Sequence, residues 1–377
     1  MSPEKIYLDN NATTRMDDRV LQAIIPFFTM YYENAGSSHL SGITVQEHVE
    51  EAVWNIAELT GGKPEEYIFT SGATEAINLT ISGLDHSKRK HIVTVSTEHK
   101  AVLDTCRNLE SNGYTLSMVN VEESGLVNPE ILREAVTDET LVVCVMLVNN
   151  ETGIIQDIQQ ISSIAHEKGA FLLCDATQAV GKIPVDVSAL GIDLMPFSAH
   201  KFYGPKGSGA LYVSRDAKIK LHPQILGGGQ QKNRRSGTLN VPGIIGLGKA
   251  CEIAKLEMEA DAARISELRD MLEKELLSID GAFINGSHEH RLYTTSNICF
   301  PGVNAEQMIM RLQHISVSNG SACSSITSRP SHVLKAMGLN DEEALSSIRF
   351  SLGKFNTASD IRKASVKVRE LVEKLRA

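Results

Sequence analysis

The chain has 377 residues, 42% of them hydrophobic and 22% charged, and a net charge of −9. This is the composition of a globular protein with a sizeable core and about two domains, at ~100–200 residues each. The acidic balance, with no Lys/Arg run, argues against a nucleic-acid binder. No apolar stretch approaches the ~20 residues of a membrane span, and the segment from Met1 to Ile6 lacks the apolar core of a signal peptide. The expected class is a cytoplasmic enzyme without a membrane or direct nucleic-acid partner.

In chain order, Val45, Val49, Val53 and Ile56 recur at helical spacing over 45–60, and Gly61-Gly62 stops that helix. Short apolar runs predict strands at 67–70, 91–95, 115–119, 141–148, 171–175, 194–198 and 209–213. Helical patterns fall between them at 74–82, 99–108, 129–136 and 159–168. Strand–helix alternation with continuously apolar strands predicts a mostly parallel sheet covered on both faces. Pro196 removes a ladder donor, so an irregularity is expected in its strand. After about residue 244 the pattern changes. A long charged helix at 245–277 leads to strand-like 295–300, helical 305–313, strand-like 348–352 and a final helix at 357–376. Longer helices and fewer strands indicate a smaller α+β domain.

Two segments carry chemistry together. In Phe197-Ser-Ala-His-Lys201-Phe-Tyr-Gly-Pro-Lys-Gly207 a lysine opens a Gly/Pro-rich turn after an apolar run; Asp175-Ala-Thr-Gln178 ends another. A lysine amine that forms a Schiff base and a carboxylate that pairs with a pyridinium nitrogen suit pyridoxal phosphate (PLP). Phe69-Thr-Ser-Gly-Ala-Thr-Glu75 joins a strand to a helix start, where small residues and free N–H groups favour an anion. An ordinary capped helix start reads the same way. Neither a Walker nor a G-x-G-x-x-G pattern occurs. Ser198 and His200 offer further phosphate contacts, as does Gly227-Gly-Gly-Gln-Gln-Lys-Asn-Arg-Arg-Ser-Gly-Thr238.

The six cysteines show no C-x-x-C spacing, so neither a zinc site nor a redox pair is indicated. Cys106, Cys144, Cys174, Cys251 and Cys299 read as buried, inert thiols. Cys323 lies in the polar Ser318-Asn-Gly-Ser-Ala-Cys-Ser-Ser325. An exposed thiol there is either incidental or reactive.

These segments, with Tyr7-Leu-Asp-Asn-Asn-Ala-Thr-Thr14, Thr97-Glu-His-Lys-Ala-Val102, Asn149-Asn-Glu-Thr-Gly153, Arg235-Ser-Gly-Thr-Leu239, Gly320-Ser-Ala-Cys323 and Ser347-Ile-Arg-Phe-Ser-Leu352, resemble the NifS/IscS-type cysteine desulfurases of the class V aminotransferases. The resemblance covers nearly the whole chain in order. It implies a homodimeric PLP enzyme of fold type I that converts L-cysteine to L-alanine and leaves sulfur as a persulfide. The acceptor would be an iron–sulfur scaffold protein or a thiolation carrier. A selenocysteine lyase or an aminotransferase is the alternative within this fold type. The implied architecture is a large domain (15–244) with a mostly parallel seven-stranded sheet. A small α+β domain (1–14 with 245–377) would carry the cysteine loop. By resemblance, Lys201 carries the cofactor, Asp175 holds its ring nitrogen, Gln178 reaches its phenolic oxygen and His99 stacks on the ring as an acid/base. On local sequence alone, His99 suits a helix cap equally well. Ala73, Thr74, Ser198 and His200 would hold the phosphate, with Thr238 supplied by the other subunit. Asn150, Arg349 and Asn34 would bind the substrate carboxylate, and Cys323 would be the nucleophile. The family often has Asn-Pro-Ser-Ser where this chain has Asn34-Ala-Gly-Ser37.

Overall fold

The computed structural model describes residues 5–320 and 329–377; Cys323 lies outside the described residues. The strands are β1 (Ile6–Tyr7), β2 (Tyr67–Thr70), β3 (His91–Val95), β4 (Thr115–Val119), β5 (Thr140–Cys144), β6 (Phe171–Leu173), β7 (Leu194–Ser198), β8 (Gly209–Val213), β9 (Phe283–Ile284), β10 (Thr295–Cys299), β11 (Ile315–Ser316) and β12 (Ser347–Ser351). Seven of them form the central sheet, in the order β2-β8-β7-β6-β5-β3-β4. β8 is antiparallel to both neighbours and the other ladders are parallel.

Side chains alternate across a strand, so a sheet covered on both faces needs apolar residues at consecutive positions. Val93, Val143, Leu172 and Met195 enter the core on one face, and Ile92, Val142, Leu173 and Leu194 that on the other. The helices Ala73–Gly83, Lys100–Glu110, Pro129–Ala135 and Ile158–Glu167 fall between strands close to the expected ranges.

A second core gathers Ile6, Leu8, Ile298, Phe300, Ile348, Phe350, Ile361 and Val368. It covers the antiparallel sheet β12-β10-β9 and the parallel pair β1-β11. The helix Val241–Leu276 serves both cores. Leu247, Cys251 and Ile253 pack on the large sheet, while Ile265, Leu268 and Leu272 pack in the second core.

Three local expectations are corrected. The runs read as strands 141–148 and 171–175 leave the regular ladder at Cys144 and Leu173. Beyond those points the chains keep single bonds, Val145 N–H to Leu173 O and Leu147 N–H to Asp175 O, and run on into cavity-lining residues. The strand containing Pro196 is regular, with Pro196 opposite Leu211. The Pro196 carbonyl accepts from Ala176 N–H, so the missing donor faces the side where β6 has already ended. The β8 ladder therefore loses nothing.

A partly exposed charge cluster joins the loop after β12 to the helices Asp18–Ile24 and Val241–Leu276. Lys354 Nζ lies 3.1 Å from Asp17 Oδ2 and 2.8 Å from Glu257 Oε2. Arg19 pairs with both carboxylates as well. Hydrogen bonds from Arg19, followed by Lys354, hold Asp17 below the usual carboxylate range and bring Glu257 down to about 2. Carboxylates depressed in the folded state add stability above their ordinary range near ~4 and lose it as pH falls through the folded value. The gap in urea midpoint between wild type and Lys354→Met should be widest at neutral pH. It should close as pH falls from ~4 toward about 2. A gap that does not change with pH would mean that Lys354 acts through packing.

Candidate active site

Ligands in open α/β sheets sit beyond the carboxyl ends of the strands. Here those ends surround a cavity of about 750 Å³. β2 delivers Ser71 to Thr74, β3 delivers His99, the chain after β5 delivers Met146 to Glu151, β6 leads to Asp175 and Gln178, and β7 to Ser198, His200 and Lys201. Asn11, Ala12 and Thr13 close one wall and Arg349 reaches in from β12.

The anion-binding end is built by close backbone approach. Gly72, at φ 154°, caps the helix Ala73–Gly83 with no side-chain hydrogen bond into it. The first N–H groups of a helix have no partner within it and point outward. Gly209, at the start of β8, lies against this turn. A Cβ there would stand 2.6 Å from the Phe197 carbonyl oxygen and 2.7 Å from Gly72 Cα. Ser198 and His200 flank the same end. His200 Nδ1 lies 3.0 Å from Thr13 Oγ1. Burial, then the Lys201 charge, brings His200 down to about 4, so it is a neutral ring at pH 7.

The reactive end gathers opposite charges. Lys201 Nζ donates to the carbonyls of Asn11 (2.7 Å) and Ala12 (2.8 Å). Asp175 is 5% exposed and its Oδ1 accepts from Thr177 N–H at 2.9 Å. Gln178 Nε2 donates to Asn11 O at 2.9 Å. His99 is both the helix cap and a cavity residue: its Nδ1 accepts from Ala101 N–H at 3.1 Å. Burial lowers its basicity, with Asp175 opposing and Lys201 reinforcing the effect. Arg349 is 3% exposed. Its Nη2 pairs with Asp9 Oδ1 at 2.7 Å and its Nη1 donates to the Asn150 carbonyl at 2.8 Å.

Burial raises two acids at or beside the cavity. Glu98 is pushed well above the usual carboxylate range, with the Asp175 charge adding to the effect. Burial also raises Glu151, whose Oε2 accepts from Ser331 Oγ at 2.5 Å.

The structure therefore brings together Ala73, Thr74, His99, Asn150, Asp175, Gln178, Ser198, His200, Lys201 and Arg349. Asn34 and Thr238 are exposed and absent from the cavity wall of this chain; Asn34 Oδ1 closes a turn onto Gly36 N–H at 2.9 Å. Cys106, Cys144, Cys174, Cys251 and Cys299 are buried free thiols. Burial raises Cys299 to about 11 and Cys251 higher still. Sequence reasoning missed Asp9, Asn11, Glu98 and Lys182. Asp9 and Asn11 lie within a quoted motif, and Lys182 follows Gln178 at helical spacing, whereas the burial of Glu98 has no sequence signal.

An open, mainly parallel sheet with a lysine and a buried aspartate lining one cavity, beside an anion cradle at its carboxyl edge, defines a PLP-dependent enzyme of fold type I. The sequence matches the family described as "Aminotransferase class-V" over residues 6–363. It is 46% identical over 376 residues to "Cysteine desulfurase IscS" of Anaeromyxobacter sp. (strain K), covering 98% of this chain and 93% of that protein. It is 45% identical over 375 residues to the protein of the same name in Neisseria meningitidis serogroup A, with the same coverage. Among solved structures, a "NIFS-LIKE PROTEIN" superposes with a TM-score of 0.92 at 37% identity, covering 98% of this chain and 100% of that one. A NifS-like protein from Rickettsia africae superposes with a TM-score of 0.87 at 32% identity, with the same coverage. The chain belongs to the class-V aminotransferase family, among its cysteine desulfurases.

PLP is the cofactor of this family, and the residues present fit it. The cradle of Ser71 to Thr74, held by the close approach of Gly209 to Gly72, opens a helix start onto the cavity; Asp175 supplies a buried carboxylate and Lys201 an amine. Phe197 O and Gly72 Cα are backbone atoms that cannot rotate away. Gly209→Ala should therefore cost about 1–3 kcal/mol of stability and weaken cofactor retention. Urea unfolding and equilibrium dialysis check this. Wild-type values in both would contradict the cradle.

Proposed function

We propose that this cysteine desulfurase converts L-cysteine to L-alanine and moves the substrate sulfur to Cys323, from which acceptors for iron–sulfur cluster assembly or other thio-cofactor synthesis draw it. The observation that carries this reading is the convergence of Lys201, Asp175, His99 and Arg349 on one cavity. Bound PLP supplies an electron sink that labilises bonds at the substrate α- and β-carbons. Asp175 would hold its ring nitrogen, Gln178 its phenolic oxygen, and Ala73, Thr74, Ser198 and His200 its phosphate. Arg349 would bind the substrate carboxylate through its guanidinium, with Asn150 beside it and Asn34 as a further contact. The Lys201 amine would move protons between substrate carbons, and His99, whose basicity burial lowers, would accept and return one. The Cys323 thiolate attacks the substrate sulfur and the Cβ–S bond breaks. The carbon fragment gains a proton and becomes alanine, and Cys323 keeps the sulfur as a persulfide.

We place the active enzyme in the cytoplasm as a homodimer. That compartment keeps thiols reduced, as a cysteine acceptor requires. Dimerisation accounts for the exposed Phe28, Met30, Tyr32, Leu40 and Trp54. It also accounts for Thr238, which lies on a segment with positive φ at Gln231, Lys232 and Asn233 and would complete the partner's phosphate site. The division into 15–244 and 1–14 with 245–377 is supported by the separate second core, which draws on Ile6 and Leu8.

Cys323→Ser should retain bound cofactor and its absorbance while losing persulfide and sulfide release. Peptide mapping after brief exposure to cysteine should find one added sulfur atom on Cys323. An adduct chiefly on Cys106 or Cys299 would refute the assignment. For the shared site, Thr238→Ala chains co-refolded with Lys201→Ala chains should exceed either parent in activity at limiting cofactor. In that mixed dimer, the lysine-bearing chain receives an intact Thr238 from its partner. No gain on mixing would mean that Thr238 serves its own chain.

A further inference from the structure

Lys182 lies behind the cavity wall. It is 5% exposed, and its Nζ donates to Gln178 Oε1 at 2.6 Å. The turn that carries it is tightly fixed. Val180 N–H bonds to Ala176 O, and Lys182 and Ile183 N–H both bond to Ala179 O. These successive turns bring Gln178 and Lys182 side by side. Gly181, at φ 76°, packs against Phe202, the residue after Lys201; a Cβ there would stand 2.7 Å from the Phe202 ring. Lys182 is therefore held inward by the same turn that supports Lys201. Burial, followed by the Lys201 and Arg349 charges, brings its ammonium down to about 7. An amine in either protonation state still has hydrogens to donate.

A carboxamide can be turned either way, and only its partners decide which end carries the oxygen. With Lys182 donating on one side, the oxygen of Gln178 belongs there and its NH₂ belongs on the cavity side. That NH₂ donates one hydrogen to the Asn11 carbonyl, the acceptor it shares with Lys201 Nζ. Its second hydrogen is then available to a ligand oxygen beside Lys201.

We propose that Lys182 is a positioning residue: it fixes the orientation of the Gln178 amide so that an N–H, and not the carbonyl oxygen, faces the phenolic oxygen of the bound cofactor. This rests on the reading of Gln178 as that oxygen's contact. Without Lys182 only the Asn11 carbonyl, shared with Lys201 Nζ, still holds the amide, and the amide can turn over and present a carbonyl to an oxygen that needs a donor. The phenolic oxygen would then hold the proton it shares with the neighbouring nitrogen to higher pH.

The test is a double-mutant cycle on the holoenzyme. The readout is the pH midpoint of the visible absorption band of the bound cofactor. Lys182→Met and Gln178→Ala should each raise this midpoint by roughly 1–2 pH units, the size that one hydrogen bond to an ionised oxygen carries. The double variant should match Gln178→Ala alone. If Gln178→Ala leaves the midpoint unchanged, the Gln178 contact fails and this proposal fails with it. If Gln178→Ala shifts the midpoint while Lys182→Met does not, or if the two shifts add, Lys182 does not act through Gln178 and only this proposal is overturned. Should Lys182→Met yield no folded protein, Lys182→Arg decides. It keeps a donor for Gln178 Oε1 and must hold the wild-type midpoint; a rise there of roughly 1–2 pH units overturns the proposal.

Discussion

The molecule depends on a strap of backbone from Asp9 to Thr14 that crosses between the two cores. The Asn11 carbonyl receives both Lys201 Nζ and Gln178 Nε2. The Asn11 side chain donates to the Asn150 carbonyl and to Thr295 Oγ1. Asn10 bonds to the Ser351 carbonyl in β12 and Thr14 to the His200 carbonyl. Asp9 orients Arg349. One short segment thus fixes the lysine after β7 of the central sheet against the arginine of β12 in the three-stranded sheet. Reacting groups on different sheets keep a fixed separation only if something rigid spans them, and satisfied buried hydrogen bonds supply that rigidity.

The same cavity balances buried charge. Arg349, Lys182 and Lys201 bring cations into a low-dielectric space, with Asp9 and Asp175 as the acids available to oppose them. Glu98 and Glu151 lie close by, and burial pushes both toward their neutral forms. An uncompensated buried carboxylate costs several kcal/mol, so burial acts against a further charge at either position. Burial likewise lowers His99 and brings His200 down to about 4.

Much of this was legible in the sequence because its causes are local. Consecutive apolar pairs such as Ile92 and Val93 mark a two-sided sheet, and the predicted strands 67–70, 91–95, 115–119, 194–198 and 209–213 coincide with β2, β3, β4, β7 and β8. Motif order pointed to Lys201, Asp175, Gln178, His99 and Arg349, and all five line one cavity. The reading failed where a run continued past its neighbour, at 145–148 and 174–175. Apolar pattern does not report where an adjacent strand ends. It also overestimated Pro196, because the cost of a missing donor depends on which neighbour it faces.

By itself, then, the sequence determined the strand and helix periodicities, the glycines that permit close backbone approach, and the order of reactive side chains along the chain. Only the tertiary structure decided which groups share a cavity, which acids burial raises, and that Asn11 and Lys182 stand beside Gln178 and Lys201. Those properties arise from distance and dielectric, and both are set by residues hundreds of positions apart, such as Asp9 and Arg349. Backbone carbonyls such as those of Asn11 and Asn150 have no residue-type signature, so their part in the site could be seen only once the chain was folded.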